Sequence, residues 1–167
     1  MHLSQIVSLP PCVWTLHDNH THCANYWFWF PSYARTLPTA MMNHKDRITE
    51  IVDFWFGKPG TTEYLKPKSF WYGNAEDDRL VKQVLGDDYD RARIGLLDSW
   101  TDTAEGCIAL ILLLDQVPRN IFRDKPQAYA TDDKALEVAR KIVDQKWDVD
   151  QPPIIRRYSA RSTSQCK

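Results

Sequence analysis

The chain has 167 residues, 43% of them hydrophobic and 26% charged, with a formal net charge of -1. Those proportions describe an ordinary globular protein, and a charge so close to zero supplies no field that would draw it to nucleic acid or an anionic membrane. Apolar runs fall short of the roughly 20 residues that span a bilayer, and Pro10 and Pro11 interrupt any signal-peptide core, so neither a membrane span nor a secretory leader is expected.

The chain changes character twice. Residues 1–40 hold one acid and one base, four of the ten prolines, four of the five histidines and seven of the twenty aromatics. They read as a disordered leader, and Met41 and Met42 as natural alternative starts. Within the leader, His17, His20, His22 and Cys23 are ligand types that suit zinc, but their spacing matches no standard finger, so no metal site is expected there. The run from Asn25 to Tyr33 is rich in Trp and Tyr, as interfacial segments are. It lacks a cationic face and is broken by Pro31, which argues against an amphipathic anchor.

Residues 41–150 carry 16 bases and 21 acids in helical patterns and are expected to form an all-α domain. Ile48, Ile51, Val52 and Trp55 make one stripe, with Asp46 as N-cap and Gly57 and Pro59 as stop. A second helix is expected from an Asn74 cap to Gly86, its stripe made of Leu80, Val81, Val84 and Leu85. A third is expected over 88–100, with Tyr89, Ala92, Leu96 and Trp100 inward. Residues 107–114 are apolar on nearly every face and should form the central buried helix. A last helix over 131–147 starts with Thr131 as N-cap and buries Leu136, Val138, Ala139, Ile142 and Val143. Residues 151–167, with four bases and no acid, read as a disordered basic tail.

The central helix ends in "LLLDQVPRNIFR", 112–123. An acid near a helix C-terminus is disfavoured by about 0.3–1 kcal/mol, so Asp115 should be answered by Arg119 or Arg123, and Arg119 is its i,i+4 neighbour. The bland reading is a salt-bridged helix exit. The functional one is an anion site in which Arg119, Asn120 and Arg123 present planar donors. Elsewhere the domain offers little chemistry. Its one histidine is His44, its serines Ser69 and Ser99 lie in no nucleophile elbow, and no glycine-rich phosphate loop occurs. Four cysteines (Cys12, Cys23, Cys107 and Cys166) show no C-x-x-C spacing, and Cys107 lies among aliphatics as a buried free thiol would. Their scatter suggests a reducing, cytoplasmic compartment.

The segments "IVDFWFG" (51–57) and "DSWTDTAEGCIALILLLDQVPRNIFRDKPQAYATDDKALEVAR" (98–140) resemble the domain of unknown function 924 family over about residues 45–148. The resemblance implies a cytosolic, tetratricopeptide-like helical bundle or array and implies no activity. Similar proteins continue after the 131–147 helix with aromatic-rich helices carrying a His-Ser-Glu-type run, so this chain is expected to be truncated at its C-terminal end.

Three functions follow from these residues. The leading one is a tetratricopeptide-like binding or scaffold module without catalysis or cofactor. Its groove would use Trp55, Trp71, Trp100 and the Asp115–Arg123 turn to hold a peptide or a small acidic metabolite. The alternatives are an enzyme or accessory factor acting on such a metabolite, with Asp115, Arg119, Asn120 and Arg123 lining the pocket, and a truncated product without function.

Overall fold

The computed structural model describes residues 43–164, and all regular structure among them is helical. Helix α1 spans His44–Phe56, α2 Ala75–Arg93, α3 Ala104–Ile111, α4 Val117–Ile121, α5 Asp132–Asp144 and α6 Pro153–Ser164. Short 3-10 turns occupy Ser69–Trp71, Asp98–Asp102 and Pro126–Tyr129, and a π-helical turn, Leu112–Gln116, joins α3 to α4. The candidate zinc ligands His17, His20, His22 and Cys23 and the aromatic run 25–33 lie outside the described residues.

The 107–114 segment is the centre, as its composition dictates: every residue from Cys107 to Leu114 is buried. Helices α1, α5 and α6 and the Asp98–Asp102 turn pack around α3, while α2 packs on α4 and the π-turn. Each fully buried aliphatic contributes about 1.5–3 kcal/mol. Gly106 permits the closest approach, because a Cβ there would collide with the Trp100 carbonyl and the Thr103 hydroxyl, which caps α3 by accepting from the Gly106 amide at 3.1 Å.

Several local expectations are corrected. Helix α1 is capped by Asn43, whose side chain accepts from the Lys45 amide at 3.2 Å, and Asp46 falls inside its first turn. Asn74 caps α2 as expected, but the helix runs through Gly86 to Arg93. A mid-helix glycine costs about 1 kcal/mol, which is outweighed because Val81, Leu85, Asp88, Tyr89 and Ala92 continue one buried face. Leu96 is consequently outside any helix and exposed; Leu80 in α2 and Val143 in α5 are exposed as well. Thr131 makes no side-chain cap; its hydroxyl donates to the Leu114 carbonyl at 2.5 Å. In an unbroken α-helix that carbonyl would take the amide of residue 118, which is a proline and has none.

The tail is also corrected. Residues 153–164 form α6, which packs on α5 and α3, with Ile155 in the core. Ile154, Ile155 and Tyr158 fall on one helical face, and that apolar stripe prevails over the basic residues between them. Residues Ala40–Lys167 form one compact unit.

Candidate functional site

The π-turn governs the geometry of the region the sequence singled out. The Val117 amide reaches back five residues to the Leu112 carbonyl, and the extra residue in the turn re-aims the side chains that follow. Asp115 is thereby buried to 2% exposure rather than left at a solvated helix end. Arg119 Nη2 donates to Asp115 Oδ1 at 2.8 Å and to Asp132 at 3.1 Å, and Nη1 donates to the Ala128 carbonyl at 2.8 Å. The Arg119 guanidinium lies 4.3 Å from the centre of the Tyr129 ring, a favourable cation–π placement. The other Asp115 oxygen, Oδ2, accepts from Gln116 Nε2 at 2.6 Å.

Arg123 does not meet Asp115. Its Nε and Nη2 grip Asp78, in the first turn of α2, in a two-pronged ion pair of 2.7 Å on each arm. Asn120, also buried, donates to the same carboxylate at 3.0 Å and to the Phe70 carbonyl at 2.9 Å. Asp78 is one of three acids in the first turn of α2, and its pairing across 45 positions carries no local signal. Gly73, with φ +74°, leaves the space that the Arg123 guanidinium fills. The expected turn site thus divides into two ion-paired clusters, Asp115–Arg119–Asp132 and Asp78–Asn120–Arg123.

The Arg123 fork holds the Asp78 carboxyl below its usual range; burial opposes it, and the Asn120 amide adds a lesser lowering. A depressed carboxylate contributes stability above the unfolded value, near 3.9, and loses it as pH falls through the folded value. The wild type should therefore lose stability more steeply than Asp78→Asn below about pH 4. Urea midpoints of the two proteins between about pH 2.5 and 6 measure this; parallel curves would refute the pairing.

Of the three expected tryptophans, Trp55 is a core residue at 1% exposure, and Trp100, at 3%, is largely buried but lines a separate cavity of about 590 Å³. Trp71 alone reaches a cavity with Gln116. That cavity, about 340 Å³, is lined by Pro67, Trp71, Tyr72, Gln116, Ile154, Arg157 and Tyr158. Phe56, Trp71 and Tyr158 meet edge to face with centroids 5.3–6.2 Å apart, forming an aromatic corner behind it. Sequence reasoning missed Gln116, Arg157 and Tyr158. Gln116 stands next to the acid that attracted attention, and the other two belong to α6.

Three further cavities, of about 590, 390 and 260 Å³, lie elsewhere, and none of the four is lined by Arg119 or Arg123. The largest borders Asn43, where the described residues begin. Among the described residues no group of His, Cys, Asp or Glu could hold a metal ion, and no helix is long and apolar enough to cross a membrane. Burial raises the Cys107 thiol to about 11, so at neutral pH it is protonated.

The helices define an all-α protein, with a cavity lined by aromatic, amide and guanidinium side chains. Residues 51–162 match the family described as bacterial protein of unknown function (DUF924), and the chain belongs to that family. The match extends into α6, past the C-terminal end of the 45–148 span expected from sequence. No curated protein matches. A solved structure similar to this chain is that of the protein of unknown function ATU0120 from Agrobacterium tumefaciens, at 29% identity and a TM-score of 0.63, covering 72% of this chain. This chain spans 64% of the length of that protein.

Proposed function

We propose that this chain is a helical binding module that holds a small acidic molecule at the cavity beside the π-turn and performs no covalent chemistry of its own. The pairing of α5 with α6, consecutive in the chain, supports a tetratricopeptide-like organisation. The enclosure of the central helix on all sides makes it a bundle rather than an open array. One observation carries the functional reading. Asp115, next in the chain to the cavity-lining Gln116, has both oxygens engaged by protein donors, one by Arg119 and one by Gln116, which favours a role in orienting those neighbours. Arg157, exposed at the cavity and without a charged partner among the described residues, supplies a cation for an anionic group. A cavity of this size suits a small molecule better than a peptide. A catalytic role for the Asp115–Arg123 turn has less support, since Arg119 and Arg123 are both committed to carboxylates.

The test is a thermal-shift panel of small carboxylic acids and their methyl esters against the full chain and Arg157→Gln, with the mixtures then followed by proton NMR. An acid at one hundred times its Kd should raise Tm by on the order of 5–10 °C. The ester should not, Arg157→Gln should abolish the shift, and the acid should remain unchanged over hours. Equal shifts from acids and esters would overturn the reading of charge, and consumption of an acid would overturn the non-catalytic reading.

A further inference from the structure

The hydrogen bond between Gln116 and Asp115 decides more than the stability of the turn. A glutamine amide has a donor end and an acceptor end, and the hydrogen-bond network determines which way it points. An ionised carboxylate can only accept, so the 2.6 Å contact with Asp115 Oδ2 requires Nε2 on that side. Arg119, bridging Asp115 and Asp132, holds the Asp115 carboxylate in place. The amide therefore cannot turn over without setting its oxygen against a carboxylate. Gln116 Oε1 is left as an acceptor with no partner among the described residues, on a side chain that lines the cavity. It is not a buried unsatisfied atom, so it is open to a ligand.

Three features then converge on one small volume: a fixed acceptor, Gln116 Oε1; a cation, Arg157; and an aromatic corner in which Trp71 and Tyr158 stand 6.2 Å apart at 67°. We propose that the cavity recognises a planar aromatic carboxylic acid that carries a ring or exocyclic N–H. The ring packs against Trp71 and Tyr158, the carboxylate pairs with Arg157, and the N–H donates to Gln116 Oε1. Asp115 and Arg119 are positioning residues, since they set the direction of the Gln116 amide and touch no ligand. A cationic aromatic ligand is disfavoured, because Arg157 repels it and Asp115 is already neutralised by Arg119. A ligand whose nitrogen is only an acceptor meets an oxygen it cannot bond. This assignment rests on the proposed acid-binding function and deepens it to a chemical class.

Calorimetric titration of the full chain with three probes tests it: indole-3-acetate, its 1-methyl derivative and indole-3-acetamide. The acid should bind, and loss of the N–H or of the charge should each weaken binding about tenfold. Arg157→Gln should erase the preference for acid over amide and keep the preference for N–H over N-methyl. Gln116→Met should do the reverse. The probe comparison on unaltered protein needs no variant to fold. If the N-methyl acid binds as tightly as the parent, the role of Gln116 is overturned while acid binding stands. If acid and amide bind equally and Arg157→Gln changes nothing, both this inference and the acid-binding function fall. If none of the three binds at millimolar concentration, the aromatic class is overturned, and the panel of non-aromatic acids then decides the acid-binding function by itself.

Discussion

Arg119→Ala is expected to destabilise the chain by about 3–5 kcal/mol, and Asp115→Ala by distinctly less. The asymmetry follows from burial. Removing Arg119 takes from the Asp115 carboxylate, 2% exposed, the guanidinium that pairs with it at 2.8 Å. Removing Asp115 leaves Arg119 still joined to Asp132, to the Ala128 carbonyl and to the face of Tyr129, with 22% of its side chain in contact with water. A buried charge stripped of its partner costs several kcal/mol, whereas a partly solvated one with other partners costs much less. Arg119 also joins the π-turn to the start of α5 through Asp132, so its loss loosens both. Urea unfolding of the two variants, compared at unchanged slope, measures the difference. Equal losses, or a larger loss in Asp115→Ala, would show that the cluster is not organised around the arginine.

Phe56→Ala is the second large effect, at about 3–5 kcal/mol. Phe56 is fully buried at the end of α1 and packs edge to face against both Trp71 and Tyr158, with centroids at 6.2 and 5.3 Å. Truncation leaves a void directly behind the cavity, and the two rings that line it lose the surface that holds their angle. The expected outcome is therefore a double loss. Stability falls by the amount given, and affinity for an aromatic acid falls at temperatures where the variant is still folded. Phe56→Leu, which keeps most of the volume, should cost less than about 1.5 kcal/mol. Calorimetric titration at low temperature separates the effects, and an affinity unchanged in folded Phe56→Ala would show that the corner does not depend on its backing.

The resemblance noted from sequence lay in the segments 51–57 and 98–140, and it was carried by the residues that make the core and the π-turn. Its weakness was at the end of the chain. The run "QPPIIRRYSARSTSQCK" reads as a basic tail by composition, yet Ile154, Ile155 and Tyr158 lie on one helical face and become core or core-adjacent once α5 and α3 offer a surface. A twelve-residue helix with three arginines and four Ser or Thr against two isoleucines is marginal alone. Packing supplies what its own propensity does not.

What the sequence by itself determined was local. The central helix was legible because 107–114 is apolar on every face, and only burial makes such a run stable in water. The Asn74 cap was legible because its side chain serves amides two and three residues away. The Asp115–Arg119 pair was legible because i and i+4 meet on any helix. What only the tertiary structure decided was distant. Arg123 went to Asp78 instead of Asp115, α2 ran through Gly86, and Thr131 gave its hydroxyl to the carbonyl that Pro118 leaves without an amide. The direction of the Gln116 amide and its meeting with Trp71, Arg157 and Tyr158 belong to the same class. Each depends on surfaces separated by tens of residues, where hydrogen-bond satisfaction and burial select among partners that sequence spacing leaves equivalent.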